Sequence, residues 1–280
     1  MKKFIAAFDG LKFCESTSEY AIFLAKQTRA HLVGVFLDDF TYHSYKVYDL
    51  IREDSHNAET KQRYLEEKEI EMRAEAVDKF EMACRDAGIE YSVHHDRNIA
   101  IKELLHESIY ADLVIINNRE TLTHYSEKPP TRFLRDLLCD VQCPVLVVPH
   151  HFKPVERLVL LFDGEPSSVH AIKMFSHTLR PLKQKPTEVV SVKSTKQSLH
   201  VPDNRLMKEF MKRHFPEAAF TVLKGSAEDE ILNHLHKQTG NLLIVLGAYR
   251  RSPVSRWFRE SMADTLMKDL KSPLFIAHNK

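Results

Sequence analysis

The chain has 280 residues, 43% of them hydrophobic and 28% charged, which is an ordinary globular balance and length enough for two domains. Forty Lys and Arg against 39 Asp and Glu leave no surplus that asks for nucleic acid or for a store of cations. No apolar run approaches the roughly 20 residues of a membrane span, the N-terminus turns polar too soon for a signal peptide, and four cysteines are too few for a disulfide scaffold. The expectation is a protein of the reducing cytoplasm without nucleic-acid or membrane partners. Seven glycines is a small number, and it weighs against an elaborate phosphate cradle, because such loops need glycine for close backbone approach.

In chain order, Lys3–Phe8 is a short apolar strand ending at Asp9–Gly10. Ser16 or Thr17 is placed to cap the next helix, with Glu19 completing a capping box on Ser16. The run at 32–37 is a second strand, so strand, helix and strand form a βαβ unit. A polar, tyrosine-rich connection (Phe40, Tyr42, Tyr45, Tyr48) leads into a long charged helix over 59–87, stopped by Gly88. Its apolar stripe reads Leu65, Ile70, Met72, Ala76, Phe80, Ala83 and Cys84. A half-buried strand at 89–93 follows, then a helix over 99–110 capped by Asn98. Buried strands at 113–116 and 144–148 flank a helix starting near Arg132.

After a polar joint at 150–154 the pattern restarts. Leu158–Gly164 repeats Phe4–Gly10, both ending in Phe-Asp-Gly. A helix (167–182), strand (188–192), helix (204–214), strand (219–223), helix (228–237), strand (242–246), helix and last strand (274–276) complete the chain. Asp9 and Asp163 stand 154 residues apart; Asn118 and Gly247, like Pro144 and Pro273, stand 129 apart. Two homologous domains, 1–150 and 154–280, follow from this duplication. Each is expected to be a five-stranded, mostly parallel, doubly wound sheet, the two related by a pseudo-two-fold. In such sheets ligands sit outside the strand carboxyl ends. The run Asn241–Leu246 delivers one such end into Gly247, the strongest single pointer to a site.

This order of elements, opening into Asp-Gly and closing on a Pro-led strand, resembles a tandem member of the universal stress protein family over the whole chain. The family binds ATP through a loop G-x2-G-x9-G-[ST] after the fourth strand, with an aspartate after the first strand contacting the nucleotide. In the second half Gly247 matches the first glycine and Ser261 the hydroxyl, but Arg250 and Glu260 replace the other glycines, while Asp163 stands at the aspartate position. In the first half Asn118, Thr121, Thr131 and Arg132 occupy the four loop positions, and only Asp9 remains. Side chains at those points obstruct backbone N–H groups from closing on phosphate, and Glu260 sets a carboxylate beside it. Arg250, Arg251, Arg256 and Arg259 could neutralise an anion by side chain instead, or form a solvated helix face.

The resemblance therefore implies a stress-response regulator that acts by binding. The first domain would not bind ATP; the second would bind a nucleotide or smaller anion weakly near Asp163, Gly247, Arg250 and Ser261. The alternatives are slow ATP hydrolysis in the second domain and an interaction scaffold whose crevices are filled by side chains. Asp9 and Asp163 read equally well as Asp-Gly turns. Family members often associate through their final strands, so Val145–Val148 and Leu274–Ile276 could pair within one chain, with a further homodimer or another protein as partner. The tyrosine-rich connection reads as packing, a crevice cover or a partner surface. Sixteen histidines invite a metal, but His94–His95–Asp96, His43, His56, His234 and His236 lack ligand spacing, and none is expected. Cys139 and Cys143 are expected to be buried small side chains rather than a redox or zinc pair. No nucleophile elbow, P-loop or dinucleotide fingerprint is present.

Overall fold

The computed structural model describes residues 1–39, 58–123, 126–193, 200–247 and 262–278. Two compact units meet at Gln142 and Cys143, somewhat before the polar joint, so the strand Val145–Val148 groups with the second unit.

The first unit runs β1 (Lys3–Asp9), α1 (Glu15–Thr28), β2 (His31–Asp39), α2 (Ala58–Ala87), β3 (Tyr91–Asn98), α3 (Ala100–Ser108), β4 (Leu113–Asn117) and α4 (Arg132–Asp140). Its strands lie in the order β3-β2-β1-β4, all parallel. The second unit holds β5 (Val145–Val148), β6 (Arg157–Leu161), α5 (Pro166–Thr178), a 3-10 turn (Arg180–Gln184), β7 (Thr187–Lys193), α6 (Asn204–His214), β8 (Ala219–Lys224), α7 (Ala227–His236), β9 (Leu242–Gly247), α8 (Met262–Asp269) and β10 (Leu274–Ala277). Its order is β5-β10-β9-β6-β7-β8, parallel except that β5 runs antiparallel to β10, with Leu274 opposite Val147 and Ile276 opposite Val145. Both units are therefore α/β, with buried central strands that read as continuous apolar runs because helices pack against their sheets. In β1, Phe4–Ala6 and Phe8 are fully buried, and in β9 Leu243–Val245 likewise.

The first unit is packed around aromatic rings. Phe8 stacks on Phe13 and Phe36 with centroids 5.2 and 5.0 Å away, and Phe80 of α2 meets Phe8 and Phe36 edge-on at 5.5 and 5.9 Å. Phe80 fits because β2 carries Gly34 beneath it: a Cβ there would lie 2.6 Å from the ring. Full burial of one such side chain contributes roughly 1.5–3 kcal/mol. The second unit's cluster is smaller, with Phe175 against Phe215 and Phe275.

Several local expectations are corrected. Helix α1 starts one residue before Ser16, with Cys14 at the cap position and no side-chain cap. Ser16, Thr17 and Ser18 are all buried, so they face the packed side of the first turn instead of capping it. Asn98 still pairs in the sheet opposite Asp39, Ile99 takes the cap position of α3, and the Asn98 amide donates to Glu103 at 2.5 Å. Strand β3 runs from Tyr91 to Asn98 rather than 89–93, which places His94 and His95 inside it. Helix α5 ends at Thr178, because Pro181 lacks the N–H that would continue it and its ring clashes with the preceding turn.

The buried stripe of α2 is the largest correction. It reads Glu69, Ala76, Phe80 and Cys84, with Arg73 half-buried between, while Ile70 and Met72 are exposed. The inner face of the helix's middle is charged because Arg73 reaches the end of β2, where it donates to Asp38 at 2.8 Å, with Glu69 at 3.6 Å. Burial pushes the Cys84 thiol up to about 12, leaving it an inert core group. Cys139 and Cys143 are half-buried rather than buried, since one sits in the last turn of α4 and the other in the turn before β5.

Candidate functional site

Both units place an aspartate after their first strand, and both use it the same way. Asp9 Oδ1 accepts from the Leu11 N–H at 2.8 Å, and Asp163 Oδ1 accepts from the Glu165 N–H at 2.9 Å. Each is the local bond by which aspartate shapes its own turn. The surroundings differ. Asp163 is exposed, whereas Asp9 is 7% exposed.

In the first unit the space outside the strand ends is taken by the loop after β4. Asn117 Oδ1 accepts from the Arg119 N–H at 2.9 Å, and its carbonyl accepts from Glu120 N–H at 3.2 Å. The loop then turns inward. The buried Glu120 carboxylate accepts from the N–H groups of Thr121 and Leu122, at 3.1 and 3.2 Å, and Leu122 takes a left-handed backbone with φ 52°. The Thr131 hydroxyl donates to the Glu120 carbonyl and accepts from Leu134 N–H at 3.2 Å, capping α4. Lys12 Nζ donates to the Thr123 carbonyl at 2.7 Å, tying the loop to the Asp9 turn. Thr121 and Thr131, which stand where the resemblance puts glycines, are thus fastened to Glu120 and to each other's loop. Asn118, at the first glycine position, keeps its Oδ1 buried and without a hydrogen-bond partner among the described residues.

The electrostatics of this crevice are those of a closed site. Burial, and then the nearby Asp9 charge, push the Glu120 carboxyl up to about 7. Burial also raises Asp9, opposed by the Leu11 N–H, Lys12 and Arg73 and assisted by Asp38. Glu120, Lys12, Arg73 and Asp38 were not among the residues the sequence singled out. The signal was faint: a glutamate three residues past a strand end looks like an exposed loop charge until the loop folds inward.

In the second unit Gly247 ends β9 against the first turn of α5. A Cβ at Gly247 would stand 2.4 Å from the Ser167 carbonyl carbon and 2.7 Å from the Ser168 nitrogen. This glycine is required by the close approach of helix and strand. The same first turn of α5 follows Asp163–Gly164, so Asp163 and Gly247 flank one helix N-terminus. Glu165 occupies its cap position with no side-chain cap, and Pro166 opens the helix. The partly positive end of α5 is a feature the sequence reading did not use, and it favours an anion there. Arg250, Arg251, Arg256, Arg259, Glu260 and Ser261 lie outside the described residues, as do Phe40, Tyr42, His43, Tyr45, Tyr48 and His56.

Among the described residues no three His, Cys, Asp or Glu side chains converge as metal ligands. His94 instead pairs with Glu107 at 2.7 Å, beside Lys3 on the same carboxylate at 2.8 Å. His234 contacts Glu188 at 3.1 Å, and Gln238 and Thr221 bond the same carboxylate. Ser176 Oγ lies 2.6 Å from His214 Nδ1, but this hydroxyl is buried and also donates to the Lys173 carbonyl. No described helix is long and apolar enough to cross a membrane.

The sequence matches no protein-family model and no curated protein sequence. Solved structures do match over nearly the whole chain. A universal stress protein from Archaeoglobus fulgidus DSM 4304 superposes with TM-score 0.71 at 14% identity, covering 99% of this chain and 98% of its own. A putative universal stress protein from Pseudomonas aeruginosa UCBPP-PA14 gives TM-score 0.57 at 17% identity, over 99% and 92%. A functionally unknown protein from Pseudomonas aeruginosa PAO1 gives 0.58 at 15%, over the same shares.

Proposed function

The chain has the fold of the universal stress proteins, and from that premise we propose that it is a cytoplasmic stress-response regulator acting by binding rather than by catalysis. Its first unit is closed to nucleotide. Its second unit takes a nucleotide or smaller anion weakly, near Asp163, Gly247, Arg250 and Ser261. The observation that carries this reading is the contrast between the two strand-end crevices. One is filled by its own loop around buried Glu120 and Asp9; the other leaves Asp163 exposed beside an uncapped helix N-terminus and Gly247. Arginine side chains after Gly247 supply the positive charge that glycine-borne N–H groups would otherwise contribute.

Calorimetric titration with ATP and Mg²⁺ tests it. Wild type is expected to bind with a dissociation constant near the millimolar end, about −4 kcal/mol. Arg250→Ala should abolish measurable heat, and Ser261→Ala should weaken binding by roughly 0.5–1.5 kcal/mol, one ordinary hydrogen bond. Asp9→Asn should leave binding unchanged. No heat from wild type up to several millimolar ATP overturns the anion site and leaves a protein-interaction scaffold. Gly247 is unsuitable as a probe, because any side chain there strikes the α5 backbone.

A further inference from the structure

The strand-end crevice is not the only recess of the second unit. Between α6 and the edge strand β8 lies a cavity of about 320 Å³, lined by His200, Val201, Asn204, Lys208, Phe220 and Val222. That volume is at the small end of the roughly 300–1,000 Å³ of ligand pockets. The lining divides by chemistry. Asn204 and Lys208 are four residues apart on α6 and so share one face. His200 precedes the helix. Phe220 and Val222 alternate along β8 and so lie on one face of the sheet, with Val201 completing the apolar part. Phe220 is 38% exposed, an unusual state for a phenyl ring on a sheet face that a helix covers.

The two units fill this face of the sheet differently. In the first unit Phe8 pairs in register with Phe36, and Phe80 from the 30-residue α2 wedges in beside them. In the second unit Leu161 pairs with Val190, which brings Phe162, the counterpart of Phe8, level with Ser191. Ser191 thus stands where Phe36 stands. The covering helix α6 has 11 residues, and no phenylalanine of it occupies the place of Phe80, since its buried residues are Met207 and Met211. Ser191 is level with Val222 across the β7–β8 pairing and therefore on the same face of the sheet, one strand inward of the cavity lining. It is 1% exposed, and its hydroxyl has no hydrogen-bond partner among the described residues.

The polar groups of the lining have no described partner. The side chains of His200, Asn204 and Lys208 make no hydrogen bond or ion pair with any described residue. Among the described lining residues Lys208 carries the one fixed charge, and none is a carboxylate. An exposed ring, an apolar floor and converging donors around a lysine fit a flat apolar body with a negative head.

We propose that this cavity is a second ligand site, separate from the strand-end crevice, which binds small aromatic anions such as arene carboxylates or aryl phosphates. The ring lies against Phe220 and Val222 of the edge strand. The anionic head is held by Lys208, with Asn204 and His200 as further donors. Occupancy stabilises the α6–β8 edge of the second unit.

Phenyl phosphate is the probe. Amide chemical shifts of the full chain are followed on titration, with inorganic phosphate and benzyl alcohol as controls. Saturable shifts at Asn204, Lys208, Phe220 and Val222 are expected with phenyl phosphate, at least tenfold weaker binding with either control, and at least tenfold weaker binding of phenyl phosphate by Lys208→Glu. Val222→Trp, which fills the recess, should abolish the shifts while the variant's circular dichroism and melting stay those of a folded protein. Should Val222→Trp fail to fold, Phe220→Ser serves in its place, with the same loss expected. Unsaturable shifts, equal affinity for inorganic phosphate, or undiminished binding by folded Lys208→Glu each overturn the proposal. Arg250→Ala should leave this binding unchanged, so the two sites succeed or fail separately.

Discussion

The two units solve the same problem with different fillings. Each is a mostly parallel sheet opening into an Asp-Gly turn, yet the described residues fill the two differently. In the first, Phe36 and Phe80 plug the space beneath α2, and Glu120 with its loop plugs the strand ends. In the second, Ser191 replaces the ring, α6 is short, Asp163 stays exposed and a cavity opens beside β8. A duplicated fold can keep its strands and turns while exchanging what sits between them, because strand pairing depends on the backbone and the filling depends on a few side chains.

The largest way to break this comparison is to remove the plug. Phe80→Ala leaves a cavity bounded by Phe8, Phe36 and Tyr91 and opposite Gly34, and is expected to cost the first unit about 3–5 kcal/mol in denaturant unfolding. Gly247→Ala strikes the opposite weakness, an over-close contact, and should cost the second unit about 1–3 kcal/mol or more, since the Cβ meets backbone that cannot rotate away.

The third test uses pH. Glu120 titrates at about 7 in the folded chain, against 4.5 for an ordinary glutamate. The folded state therefore holds a proton that the unfolded state has released. Its stabilising effect is complete below about pH 4.5 and is lost as pH rises through 7, at roughly 1.4 kcal/mol per unit of gap. Asp9, also raised, acts in the same direction. Glu120→Gln should flatten the fall in first-unit stability between pH 5 and 8; an unchanged slope would show that the loop does not seal this carboxyl. The smallest effect belongs to Ser191→Ala, which removes a buried hydroxyl without a partner. It should be neutral or stabilise the second unit by about 1 kcal/mol.

The sequence revealed the architecture well because its signals are periodic. Apolar runs ending at Asp9, Asn117, Asp163 and Gly247 marked the buried strands, and the Phe-Asp-Gly echo and the paired prolines marked the duplication. It misled where apolarity was taken for burial, and it gave no sign of the buried acids. Glu69 and Glu120 are acidic yet buried, Ile70 and Met72 apolar yet exposed. Each outcome depends on a distant partner: Arg73 over Asp38 for the first, the inward loop and Asp9 for the second. Gly247 was found for its place at a strand end, while the reason for it, contact with the α5 backbone, belongs to packing between elements that no spacing reveals. The α6–β8 cavity was out of reach for the same reason, since it lies between two elements that only the fold brings together.

The charged stripe of α2 bears on how that helix opens. Thirty residues span about 45 Å, roughly twice the reach of the seven-residue β1. Its C-terminal half is anchored by Ala76, Phe80 and Cys84, and its middle by Arg73 reaching Asp38, while Tyr64 and its neighbours from Arg63 to Lys68 are exposed or half-exposed. Amide hydrogen exchange should accordingly run as a gradient along one continuous helix: slowest around Phe80, with opening close to the whole unit's unfolding, and fast before Glu69, where a turn can fray without disturbing the core. The Arg73–Asp38 contact marks the boundary, and it sets how far fraying can travel before it reaches the aromatic cluster.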